Sequence, residues 1–170
     1  FYHHAGLLHG FGGRALNAAG RPALDTPEVA ASMAYAGSLT ARGAVPGECD
    51  GAMVATLFNQ SEVPFVFNGP WFLGEIKDTI DFGVAPLPLL PNGEALQPYV
   101  TVESLFIAEF GTAAPEHLAA VIDALAGKDG AVLRATQGRQ ALAHLEARKD
   151  PAVAGDPILA AFSAQADRAI

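Results

Sequence analysis

Apolar residues recur at helical intervals in several stretches of the chain and alternate at strand intervals in another, and these two periods lay out its elements. Over residues 26–42, Val29, Met33, Ala36 and Leu39 fall on one helical face. Asp25 and Glu28 have capping-box spacing, Pro27 suits a first turn, and Gly43 suits the stop. A shorter helix is predicted from Asp50, a good N-cap, to about Asn59, with Val54, Leu57 and Phe58 facing inward. The period then changes. Val63, Phe65 and Phe67 alternate and run into the turn Asn68-Gly69-Pro70, so a strand is predicted there. A short helical turn is predicted over 71–77 and a second short strand over 82–85. Residues 86–98 carry four prolines and read as loop. Residues 99–110 form a mostly apolar run suited to a buried strand, broken by Glu103-Ser104.

The remainder is predicted helical. Residues 115–126 place Leu118, Val121, Ile122 and Leu125 on one face, with Gly127 to end the helix. Residues 129–147 read as two short helices flanking Gly138. Asp156 caps a last helix from Pro157, with Ile158, Leu159, Phe162 and Ala166 inward. This order predicts an α/β chain, helix-rich with a small mixed sheet. The strands are too few for a self-contained large sheet, so part of a parent fold is expected to be missing.

Charge narrows the partners. Ten Lys and Arg against 18 Asp and Glu give a formal charge of −8, and the basic residues are scattered. Neither nucleic acid nor an anionic membrane surface is an expected partner, because both need clustered cations. Cys49 is the single cysteine, which excludes an internal disulfide and a thiolate-rich zinc site. No run of about 20 apolar residues occurs. The chain opens on Phe1 without a charged-then-apolar leader, so it reads as a processed product or a cut piece.

No catalytic constellation stands out. The chain lacks a Gly-x-Ser-x-Gly elbow, and Cys49 lies in Gly-Glu-Cys-Asp, an acidic setting that blunts a thiol. His3, His4 and His9 lack the spacing of a metal motif and read as histidines on a partly buried helix end. Gly10-Phe11-Gly12-Gly13 lacks the third glycine of a dinucleotide fingerprint and reads as a turn. Asn59-Gln60-Ser61 matches a glycosylation acceptor, a triplet too common to weigh. No catalytic role, metal or cofactor is predicted.

Trp71 is the single tryptophan and follows a strand and a turn, where a scaffold presents ligand contacts. It admits two readings: a flat ring for the apolar C–H face of a sugar, or a core residue packed beneath the loop. Tyr2 is a second amphipathic ring, either near the same cleft or frayed at the terminus. Glu103 could accept a hydrogen bond from a sugar hydroxyl; an outward orientation at a lobe boundary is the favoured reading.

The run Phe58-Asn59-Gln60, then Val66-Phe67-Asn68-Gly69-Pro70-Trp71, resembles the extracytoplasmic solute-binding proteins of ATP-driven (ABC) sugar transporters, maltose/maltodextrin-binding type. Residues 80–88, 98–104 and 156–162 resemble later segments of the same family, in order and with similar spacing. The resemblance implies a two-lobed periplasmic-binding-protein-like clamp (type II), here incomplete and mainly its C-terminal lobe. Residues 1–104 would belong to the second lobe, 105–150 would dock on the absent N-terminal lobe, and 151–170 would return to the second lobe. It implies an oligosaccharide ligand, permease subunits as partners and a periplasmic or extracytoplasmic location, free or membrane-tethered in the full-length protein. Trp71 falls on the family's stacking tryptophan and Tyr2 on its tyrosine at a helix end. His3 stands where the family has its next aromatic. The surface exposed by the missing lobe is expected either to pair two copies of the chain or to fold helices back on it.

Overall fold

Four of the helices start where the sequence supplies an oxygen to receive the first free backbone amides, among them the short Pro151–Ala154, where Asp150 Oδ1 accepts from the Ala152 amide at 3.1 Å. In the computed structural model, which describes residues 2–170, Thr26 Oγ1 accepts from the Val29 amide at 3.4 Å. Asp50 Oδ1 accepts from Met53 at 2.8 Å, and Asp156 Oδ1 from both Ile158 and Leu159 at 2.8 and 3.2 Å. These caps open α2 (Pro27–Ala41), α3 (Gly51–Asn59) and α7 (Pro157–Ala166), close to the bounds predicted. The cap of α2 is Thr26 rather than Asp25. Gly43 ends that helix with φ at +71°, a left-handed conformation that costs glycine little.

Ahead of α2 comes α1 (Ala5–Gly10). The Phe1 end of the helix tail implied there lies outside the described residues. Helix α1 lies between α2 and the loop at 90–98. A Cβ added to Gly10 would meet Leu90 Cδ1 at 2.6 Å and the Ala95 carbonyl at 2.9 Å, so only glycine lets the loop approach this closely. Leu8, on the same helix, is 1% exposed. On α2 the inward residue is Ser32, fully buried, with Val29, Ala36 and Leu39 half-buried; Met33, predicted inward, is exposed. Ser32 displaces it because its hydroxyl meets His4 of the neighbouring segment, a polar contact that the apolar pattern does not reveal.

A second core gathers the C-terminal helices. Ala131 and Ala135 on α5 (Lys128–Thr136) pack with Leu142, Ala147, Val153 on α6 (Pro151–Ala154) and Leu159 on α7. The second helix expected within 129–147 shrinks to a 3₁₀ turn at Ala147–Lys149. Gln165 of α7 ties the two regions together. Its Oε1 accepts from the Leu87 amide at 2.8 Å, and its Nε2 donates to the Leu96 carbonyl at 3.3 Å.

The small mixed sheet expected from the pattern does not form among the described residues. The predicted strands at 63–67, 82–85 and 99–110 form no ladder, and among the described residues the β-bridges, Leu16 to Pro22 and Leu89 to Ala95, lie outside them. A strand persists only where a neighbour satisfies its amides and carbonyls. One ladder-like step flanks Tyr99: Ile170 N–H donates to the Pro98 carbonyl at 3.0 Å, and Val100 N–H to the Ile170 carbonyl at 3.1 Å.

Helix α4 (Pro115–Ala126) forms where predicted and stops before Gly127, yet it buries no residue. Its apolar face is open to solvent, with Val121, Ile122 and Leu125 exposed. Phe65, Phe106 and Phe110 are more than four-fifths exposed. The chain presents 11597 Å² to solvent, against about 7,900 Å² for a compact globule of its mass. The unpaired runs and α4 contribute exposed apolar surface to that excess.

Candidate functional site

Five ring side chains, those of Tyr2, His3, His9, Trp71 and Tyr99, meet where α1, the turn after Asn68 and the run from Tyr99 come together. Tyr2 precedes α1, and its carbonyl accepts from the Ala5 amide at 3.2 Å, which anchors the ring to the helix start. Trp71 sits on a 3₁₀ turn, Pro70–Glu75, that Pro70 opens and Phe72 and Leu73 anchor in the interior. Because consecutive residues of that turn diverge, burial of Phe72 and Leu73 turns Trp71 outward, and it is 51% exposed. The core reading of Trp71 is therefore not what the structure shows.

The Tyr2 and Trp71 ring centroids are 5.8 Å apart at 61°, and those of Tyr2 and Tyr99 are 6.4 Å apart at 44°. Tyr99 in turn meets the edge of His9 at 5.0 Å. His3 abuts Tyr2 at 5.9 Å, nearly perpendicular. Separations and tilts of this kind are those of attractive aromatic pairs. The Tyr2 hydroxyl lies 3.5 Å from Thr101 Oγ1, a long contact on an exposed face. The rings thus line an open surface with hydroxyl and indole N–H groups at its edges. Glu103 is exposed, and among the described residues no hydrogen bond or ion pair joins it to this group.

Two histidines beneath the rings are structural. The Gln97 carbonyl can only accept, so buried His9 carries its proton on Nδ1 and donates at 2.8 Å. The Ser32 hydroxyl donates to the Val29 carbonyl at 2.8 Å, so it receives the Nε2–H of His4 at 3.1 Å. Burial pushes the His4 pKa below the ordinary histidine value. An imidazole with a depressed folded pKa takes up its proton more readily when the chain unfolds, so stability is lost as pH falls through and below about 6.5. The thermal midpoint should drop between pH 7.5 and 5.5. In His4→Gln, which retains an N–H donor, the drop should be smaller; an equal drop in both would remove His4 as its source.

Neither of two surface grooves is lined by Tyr2, Trp71 or Tyr99. One, of about 390 Å³, is lined by His9, Arg14, Glu94 and Gln97 among others. The other, of about 280 Å³, is apolar and lies between 105–111 and α4. Among the described residues no group of three His, Cys, Asp or Glu side chains could hold a metal.

No protein-family model matches the chain. A maltotriose-binding protein of Pyrococcus abyssi is 40% identical over 57 residues, 31% of this chain and 13% of that protein. Solved structures match almost the whole chain. The maltose–maltodextrin-binding protein of Alicyclobacillus acidocaldarius superposes with a TM-score of 0.88 over 99% of the chain, at 23% identity. The maltose/maltodextrin-binding domain of Bdellovibrio bacteriovorus, bound to maltotriose, gives 0.84 over 99% at 24% identity. The chain has the fold of part of a maltose/maltodextrin-binding protein. A cyclo/maltodextrin-binding protein complexed with maltotetraose matches as well, with a TM-score of 0.79 at 22% identity. The chain spans 45% to 48% of the length of these three structures.

Of the residues singled out in the sequence, the structure brings Tyr2, His3 and Trp71 together and leaves Glu103 apart. Tyr99 was not singled out, and His9 was read as a histidine on a partly buried helix end, where it lies, but not as a neighbour of these rings. Tyr99 opens an apolar run directly after Pro98, an amphipathic ring at an element's start, and that signal was available. Nothing local marks the partner of His9, which lies 88 positions away.

Proposed function

We propose that the chain is mainly the second lobe of an extracytoplasmic binding protein that captures a malto-oligosaccharide and delivers it to an ABC-transporter permease. The observation that carries this reading is the outward-turned Trp71 with Tyr2 and Tyr99 beside it. Such a surface suits a pyranose, whose C–H faces stack on rings while its hydroxyls bond at their rims. Trp71 supplies the main stacking face and Tyr2 a secondary one. His3 offers an imidazole to a sugar hydroxyl, and Glu103 stands at the lobe boundary, able to accept from a hydroxyl once the cleft closes. The chain captures ligand and catalyses nothing.

Residues 1–104 and 151–170 form the lobe in this reading, and 105–150 reach toward the other half of the clamp. The exposed faces of α4 and of 99–110, and the apolar groove between them, are then surface for that half, and the unpaired runs complete a small mixed sheet there. Hinge closure brings the two halves onto the sugar. Alone, the chain holds a half-site and binds weakly, and two copies can associate through the open apolar surface. That surface also favours a second reading, a docking module for the permease with no ligand of its own.

Calorimetry with maltose, maltotriose, maltotetraose and cellotriose separates the two. The carbohydrate reading expects affinity to rise with malto-oligosaccharide length and cellotriose to bind least. No heat with any of the four sugars, on this chain and on a chain carrying both halves, would leave the docking reading.

A further inference from the structure

We propose that Asn59 is the positioning residue for Trp71, a two-point latch that fixes the direction of the indole; the inference rests on reading Trp71 as the sugar contact. Asn59 is the last residue of α3. Its Nδ2 donates to the Glu75 carbonyl at 2.8 Å, and its Oδ1 accepts from the Lys77 amide at 2.7 Å. The two bonds bracket Ile76 much as a neighbouring peptide unit would, and a planar amide bonded at both ends fixes orientation as well as distance. Phe58, the adjoining residue, adds a ring contact to Phe72 at 5.9 Å and 61°. The end of α3 therefore grips the Trp71 turn by a buried ring within it and by the chain just past it.

At the start of the turn, Phe72 N–H donates to the Gly69 carbonyl at 3.1 Å and Gly69 N–H to Asn68 Oδ1 at 2.9 Å. Among the described residues no strand holds the turn from either side. The indole lies across Gly69: a Cβ there would overlap indole carbons Cζ3 and Cη2. Gly69 is the bare platform that lets the ring lie flat, and Asn59 holds the frame around it.

The test is fluorine NMR of the full chain labelled with 5-fluorotryptophan, in which Trp71 gives the single resonance. The wild type should show one narrow line that moves with maltotriose. Asn59→Ala should broaden or split that line without ligand and weaken maltotriose binding about tenfold. Asn59→Asp, which retains the acceptor for Lys77 and loses the donor to Glu75, should fall between. Gly69→Ala should shift the line with the latch intact. A merely structural Asn59 would lower the melting temperature and leave the native line at its wild-type position and width, and that result overturns the proposal. Should Asn59→Ala fail to fold, a wild-type line in Asn59→Asp overturns it equally. If the wild-type line ignores maltotriose on this chain and again with both halves of the clamp present, the carbohydrate reading falls, while the comparison of line shapes still decides the latch.

Discussion

Replacing Trp71 by alanine should weaken maltotriose binding by about 2–4 kcal/mol, roughly 30- to 1,000-fold, the scale on which a central aromatic anchor contributes to a contact surface. The indole provides the largest flat area of the ring group, and it is the ring turned most directly outward by burial of its neighbours Phe72 and Leu73. The fold should survive the change, because half of the ring already faces solvent and the turn is held from α3 through Asn59. Trp71→Phe should recover part of the loss. Saturation-transfer NMR, which reads weak complexes, is the suitable measurement. Equal signals from the wild type and Trp71→Ala would show that the sugar lies elsewhere.

Leu8→Ala should cost about 2–5 kcal/mol of stability, the usual range for a buried leucine whose surroundings cannot collapse into the space left. Leu8 is 1% exposed, and its Cδ1 lies so near Gly13 that a Cβ there would sit 2.6 Å from it. That loss is a large part of the 5–15 kcal/mol that holds a typical domain together. It should also reach the rings, since His9 follows Leu8 on α1 and Tyr2 lies just ahead of that helix. Urea unfolding followed by far-ultraviolet dichroism reads the effect. Leu89→Ala, at a residue 63% exposed, is the control and should change stability by about 0.5 kcal/mol or less. Equal midpoints for the two variants would mean that α1 is not packed as described.

Helix positions were legible in the sequence because their signals are local. Asp50, Thr26, Pro27, Asp156 and Gly127 act within a turn of where they stand, and α2, α3, α4 and α7 follow them closely. The inward face of α2 was less legible, since Ser32 is buried through a bond to His4, 28 positions earlier. The alternation at Val63, Phe65 and Phe67 has strand period, but a strand also needs a partner. None forms among the described residues, so the period stands without the ladder. The candidate site divides in the same way. Trp71 was conspicuous as a lone tryptophan after a turn, whereas the pairing of Tyr2 with Tyr99 joins residues 97 positions apart that no local pattern relates.

The most direct test of the account is a titration of Trp71 fluorescence with maltotriose on the wild-type chain. The chain has one tryptophan, so every change in emission comes from that ring. The account predicts a saturable shift in emission with maltotriose and a much smaller response to cellotriose. Unchanged emission with maltotriose, on this chain and again with both halves of the clamp present, would contradict it.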